Sequence, residues 1–117
     1  MRNVQHVRSF MLPTPQGGEV ELARSSYDRL VENGGLSVRS LSAIVCAAQI
    51  LDVLRTSNEP LSIFSVAPMI RGAKPEKPSN TERRAMAALS KAKLVRQVGA
   101  GSTTKYVAVE EVSREEV

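Results

Sequence analysis

Tryptophan is absent from this 117-residue chain, and the remaining aromatics number four: Phe10, Tyr27, Phe64 and Tyr106. A surface that stacks successive bases needs a row of ring faces, so this poverty argues against recognition by stacking. Cysteine occurs once, at Cys46. That excludes an intrachain disulfide and a cysteine pair for a metal, and it points to a reducing compartment. Because Cys46 lies inside an apolar run, it reads as a buried, inert thiol. Histidine also occurs once, at His6. The acids are scattered without paired or metal-ligand spacing, and Gly99-Ala100-Gly101 is too short a pattern for a phosphate-cradling loop. The pattern therefore marks no enzyme, no metal site and no cofactor site. No apolar run approaches the ~20 residues needed to cross a bilayer. The start, MRNVQHVRSF, lacks the apolar core of a signal peptide, so the expectation is a cytoplasmic protein with no membrane partner.

What the chain has is positive charge in one place. Residues 71–105 carry nine Lys and Arg (Arg71, Lys74, Lys77, Arg83, Arg84, Lys91, Lys93, Arg96, Lys105) against Glu76 and Glu82, a local net charge of +7. Residues 1–70 balance six against six, and residues 106–117 hold one Arg against four Glu. The overall +4 is thus the sum of a neutral first part, a basic module and an acidic end. A one-signed basic module makes nucleic acid the first partner to consider.

Residues 1–36 form an N-terminal extension with two competing readings. Val20, Ala23, Tyr27, Leu30 and Val31 recur at helical spacing, predicting a helix over 19–33 that stops at Asn33-Gly34-Gly35. The rival is a hairpin around Gly17-Gly18 that joins Ser9–Leu12 to Val20–Ala23. As a helix the segment would either pair two copies into a homodimer, through Tyr27, Leu30 and Val31, or fold back onto the core of its own chain. A clearer helix is predicted from about Ser40 to Arg55, apolar on much of its surface, with Ser40 or Ser42 as its cap. Leu61–Ile70 is a short apolar helix troubled by Pro68, which removes an amide donor. The basic connector RGAKPEKPSN follows, with prolines that favour extended backbone.

The helix over residues 80–93 carries the argument furthest. Ser79 and Glu82 have the S-x-x-E spacing of a reciprocal cap. At 100° per residue Glu82, Met86, Leu89 and Lys93 share the core side, while Asn80, Arg84, Ala87, Ala88 and Lys91 lie opposite with Arg83 at the flank. Alanines between long cations would let such a face approach base edges closely, as an α-helix must in the major groove. Leu94–Val98 and Thr104–Val109 read as strands of a hairpin around Gly99–Ser102, with Arg96 and Lys105 near its tip.

Three helices followed by a hairpin, with ALSKAKLVRQVGAGSTTKYVAV at the junction, resemble the winged-helix form of the helix-turn-helix superfamily over about Leu41 to Val109. The junction is also similar to the end of a linker-histone globular domain. The fold class implied is mainly α with a small β-hairpin: a three-helix core plus wing over 37–109, an N-terminal extension over 1–36, and an acidic tail over 110–117 expected to be disordered. The resemblance implies a double-stranded-DNA-binding protein, most simply a transcriptional regulator. By position, Asn80, Thr81, Arg83, Arg84, Ala87, Ala88 and Lys91 become the recognition face and Arg96, Ser102, Thr103 and Lys105 the wing contacts. Lys74 and Lys77 in the connector become additional phosphate contacts. The alternative is a winged helix that docks on a protein partner as an adaptor or inhibitor.

Overall fold

The computed structural model describes residues 8–71, 78–99 and 104–109. The elements run β1 (Ser9–Pro13), β2 (Glu19–Ala23), α1 (Arg24–Glu32), α2 (Leu41–Thr56), α3 (Ile63–Arg71), α4 (Asn80–Lys91), β3 (Val95–Val98) and β4 (Lys105–Ala108). The described residues form a compact mixed α/β fold with four helices and two antiparallel hairpins, β1–β2 and β3–β4.

The N-terminal region realises part of each competing prediction. Residues Glu19–Ala23 are strand and not helix, because Val20 and Leu22 alternate with exposed Glu19 and Glu21 and pair against Leu12 and Phe10. Helical spacing takes over at Arg24, where Ser26 and Leu30 become the buried positions. The hairpin loop closes through Thr14, whose amide donates to the Gly18 carbonyl at 2.9 Å and whose Oγ1 accepts from the Gly18 amide at 3.1 Å. Gly17 sits in it at φ 101°, a conformation costly for any residue with a Cβ. No linker separates β2 from α1. Ala23 has no side chain to cap the helix, and the Arg24 amide instead donates to the Arg8 carbonyl at 2.8 Å.

Within the chain this segment folds back onto the core. Leu30 is fully buried, and Tyr27 packs edge-on against Phe10 with ring centroids 5.3 Å apart. Leu30 is therefore not available as a contact to a second copy. Val20, Leu22, Leu30 and Leu36 belong to the same core as α2 and α4, each buried side chain contributing about 2 kcal/mol.

α2 is the central element. Nine of its 16 residues are buried, and it packs on α3, α4, β2 and β4. Ser40 occupies its N-cap position without a side-chain bond, its carbonyl accepting the Ile44 amide at 3.0 Å. α3 begins after Ser62, whose hydroxyl accepts the Ser65 amide at 3.3 Å, and it runs through Pro68 without breaking. The proline sits in its second turn, so the helix forgoes one bond there, to the Phe64 carbonyl. Just before α3, Leu61 and Tyr106 exchange amide-to-carbonyl bonds of 3.1 and 2.8 Å. A single residue thereby extends the β3–β4 ladder at its β4 edge.

Candidate nucleic-acid interface

α4 starts from the reciprocal cap that its sequence predicts. The Ser79 amide donates to Glu82 Oε1 at 2.8 Å, and Ser79 Oγ accepts from the Glu82 amide at 3.1 Å. Glu82 is 4% exposed, so the only acid of the helix is turned inward to hold its end. Ala85, Met86, Ala88 and Leu89 are buried with it, and Asn80, Arg83, Arg84, Ala87 and Lys91 form the exposed arc with Thr81 half-buried at its edge.

Two residues depart from their expected places. Ala88, assigned to the outward face, is 2% exposed because the end of α1 lies on it. A Cβ placed on Gly34 would stand 2.8 Å from the Ala88 carbonyl oxygen and 3.2 Å from its Cβ, so backbone meets helix there with no side chain between. The alanine is small in order to admit a neighbouring turn of its own chain, and it offers nothing to a base. Lys93, expected on the core side, is exposed, since α4 ends at Lys91.

The end itself is a Schellman turn. The Leu94 amide donates to the Leu89 carbonyl at 2.9 Å and the Lys93 amide to the Ser90 carbonyl at 3.1 Å, with Lys93 at φ 62°. Leu89 and Leu94 are both buried, completing the apolar contact typical of this motif. The left-handed residue reverses the chain and starts β3 directly.

In the β3–β4 ladder Val95 pairs with Ala108, Arg96 with Val107, Gln97 with Tyr106 and Val98 with Lys105. Strand alternation then divides the hairpin into two faces. Val95, Tyr106 and Ala108 turn to the core, while Arg96, Val98, Lys105 and Val107 share the outer face. Arg96 and Lys105 are both exposed and lie diagonally across the strands. Lys74, Lys77, Ser102 and Thr103, the connector and wing-loop candidates, lie outside the described residues.

Along residues 83–109 there are six cations (Arg83, Arg84, Lys91, Lys93, Arg96, Lys105) and no acid. All six are exposed: three on α4, Lys93 in the three-residue turn that follows it, Arg96 on β3 and Lys105 on β4. Such an arrangement holds a line of positive charge against a polyanion without an internal counter-ion to displace. Among the described residues no group of three or more His, Cys, Asp or Glu is arranged to hold a metal ion, and no helix is long and apolar enough to cross a membrane.

Elsewhere an open apolar cleft of about 390 Å³ lies between the first hairpin and the start of α2, lined by Leu12, Pro13, Pro15, Leu41 and Val45 among others. Its walls come from segments nearly thirty residues apart, so no local pattern in the sequence marks it. Comparison with protein-family models, curated proteins and solved structures finds no match to this chain.

Proposed function

We propose that this chain is a winged-helix protein that binds double-stranded DNA, most simply as a transcriptional regulator. In this assignment α4 enters the major groove and the β3–β4 hairpin follows the adjacent backbone as the wing. The order α2, Leu61 bridge, α3, α4, β3, β4 supports the fold assignment, because it supplies three packed helices and a hairpin whose β4 edge is paired by the segment before α3.

The observation that carries the function is the exposed arc of α4, whose charged residues are all cations, continued by Arg96 and Lys105 on the outer hairpin face. Burial of Glu82 in the cap sharpens it, since the helix gains its N-terminal carboxylate without presenting an acid to a phosphate. Arg84 and Arg83, in the first turns, are suited to a guanine edge or a phosphate. Lys91, Arg96 and Lys105 are suited to the backbone. With Ala88 covered, the face that can approach bases is narrower than the sequence implied: Asn80, Arg83, Arg84, Ala87 and Lys91.

Titration of a labelled random duplex tests this directly. Neutralisation of about six phosphates gives an affinity that falls ~10³-fold between ~0.05 and ~0.2 M salt. The Arg83→Ala/Arg84→Ala double variant should bind about 30-fold more weakly or worse. Absence of duplex binding at the lower salt would refute the proposal. A second reading, a module that docks on a protein partner, draws on the apolar cleft, where Leu41 stands 60% exposed. It predicts folded protein that ignores duplex at every salt concentration.

A further inference from the structure

The two edges of the first hairpin are treated oppositely. The Arg24 amide bonds the Arg8 carbonyl at 2.8 Å and the Thr14 amide bonds the Gly18 carbonyl at 2.9 Å, which fixes the alternation along the ladder. Phe10 and Leu12 therefore exchange their backbone bonds with Leu22 and Val20. Ser9 and Met11 aim their amides and carbonyls away from β2, and Pro13 its carbonyl. Among the described residues none pairs with them, since this sheet has two strands.

An open edge is ordinarily blunted by charge. The outward positions of β2 include Glu19 and Glu21, whereas β1, SFMLP, has no charged residue and its central Met11 is 57% exposed. Beside this bare edge lies the apolar cleft walled by Leu12, Leu41 and Val45.

A second copy of the chain fits both features. In an antiparallel pairing centred on Met11, that residue and the partner's Met11 exchange amide-to-carbonyl bonds, and each Ser9 amide donates to the carbonyl of the partner's Pro13. The missing N–H of Pro13 leaves only the Ser9 carbonyl unanswered, at the end of the strand. On the core face the same register lays the partner's Phe10 beside Leu12, at the mouth of the cleft. Tyr27 already holds that ring on the core face. Arg8, which precedes β1, falls opposite the partner's Thr14, so no like charges meet across the axis. The sheet so formed has the order β2, β1, β1, β2. Its outer strands carry Glu19 and Glu21, so growth stops at two copies.

We infer that β1 is a homodimerisation edge, joining two copies through antiparallel β1 strands centred on Met11, with Phe10 of each seated over the Leu12–Leu41–Val45 cleft of the other. A contact between two five-residue strands is at the small end of specific interfaces, ~1,200 Å² in total or below. The dimer is accordingly weak, with a dissociation constant of about 10 µM. This inference is independent of DNA binding, since α4 and the second hairpin take no part in it.

Sedimentation equilibrium of the full chain from about 2 to about 200 µM, with amide hydrogen exchange at both limits, tests it. The chain should pass from monomer to dimer. Exchange at Ser9 and Met11 should slow as concentration rises, while the Glu21 amide, on the opposite edge, stays unchanged. Met11→Lys sets two like charges against each other across the axis and should weaken the dimer ~10-fold or more. Its dilute chain should unfold at the parent's temperature, because the Met11 side chain faces solvent. Mixing Met11→Lys with Met11→Glu should restore a dimer of the two variants. Leu41→Glu checks the cleft from its other wall: a carboxylate in the first turn suits α2 but should also weaken the dimer. A chain that stays monomeric throughout leaves the edge to some other partner and overturns the inference. A dimer that survives Met11→Lys, with Ser9 and Met11 exchanging at the same rate at both limits, joins through another surface and overturns it equally.

Discussion

The two ends of the fold are built from the same parts in opposite order: hairpin then helix over residues 8–36, helix then hairpin over 79–109. Their charges are handled differently. In the first, two of the acids have local partners, with Ser9 Oγ donating to Glu21 at 2.6 Å and Arg24 standing 3.9 Å from Asp28. In the second, the one acid is buried in a helix cap and the cations are left facing outward. Helix ends differ as well. α1 begins without a side-chain cap and is followed by Gly34, which tucks against Ala88, whereas α4 begins with a full capping box and finishes in a Schellman turn. The first region fills the core; the second uses that core as a platform. Charge of one sign is therefore informative only where the structure has removed its usual counter-charges.

The largest expected effect comes from forcing the two regions apart. Gly34→Val places a side chain 2.7 Å from the Leu30 carbonyl and 2.8 Å from that of Ala88, both backbone atoms that cannot step aside. A loss of about 3 kcal/mol is expected, read in urea or thermal denaturation as a Tm lower by roughly 12 °C or more. A loss under 0.5 kcal/mol would mean that α1 is not seated on α4, and Ala88 would return to the exposed face. Ser79→Ala comes next. It removes one half of the capping box, should cost about 1 kcal/mol, and should slacken amide protection in the first turn of α4 while leaving α1 unchanged. Smallest, and opposite in sign, is Lys93→Gly. Relief of the left-handed strain, offset by the extra freedom of glycine in the unfolded chain, should leave about 0.5 kcal/mol of stabilisation. A decrease in stability would mean that Lys93 contributes more than its backbone conformation.

Legibility in the sequence followed the range of the interactions. The capping box, α2 and the β3–β4 hairpin depend on spacings of a few residues, and each appears near its expected bounds. Residues 19–33 were ambiguous because Val20, Ala23 and Tyr27 fit a helical repeat while Val20 and Leu22 fit a strand, and only the partner strand Ser9–Pro13 decides between them. Ala88 was misplaced because its neighbour Gly34 lies 54 positions away and comes from the region read as an extension. Lys93 leaves the core side because α4 ends at Lys91, and nothing in lysine signals the left-handed backbone that follows. The cations Arg83, Arg84, Lys91, Arg96 and Lys105 were found by composition, but their common exposure depends on the fold. The Leu61–Tyr106 bridge had no local signature, being one residue long.

That bridge has a consequence for the order of folding. It joins residues 45 apart and encloses α3, α4 and β3 within the loop it closes. Closing such a loop costs roughly 3 kcal/mol of chain entropy, more than two hydrogen bonds return, at about 1 kcal/mol each. The pair can form only once α3 and α4 have collapsed onto α2 and shortened the distance. Tyr106 is thus placed to report the last step of folding, and its fluorescence should change after the helical signal is complete.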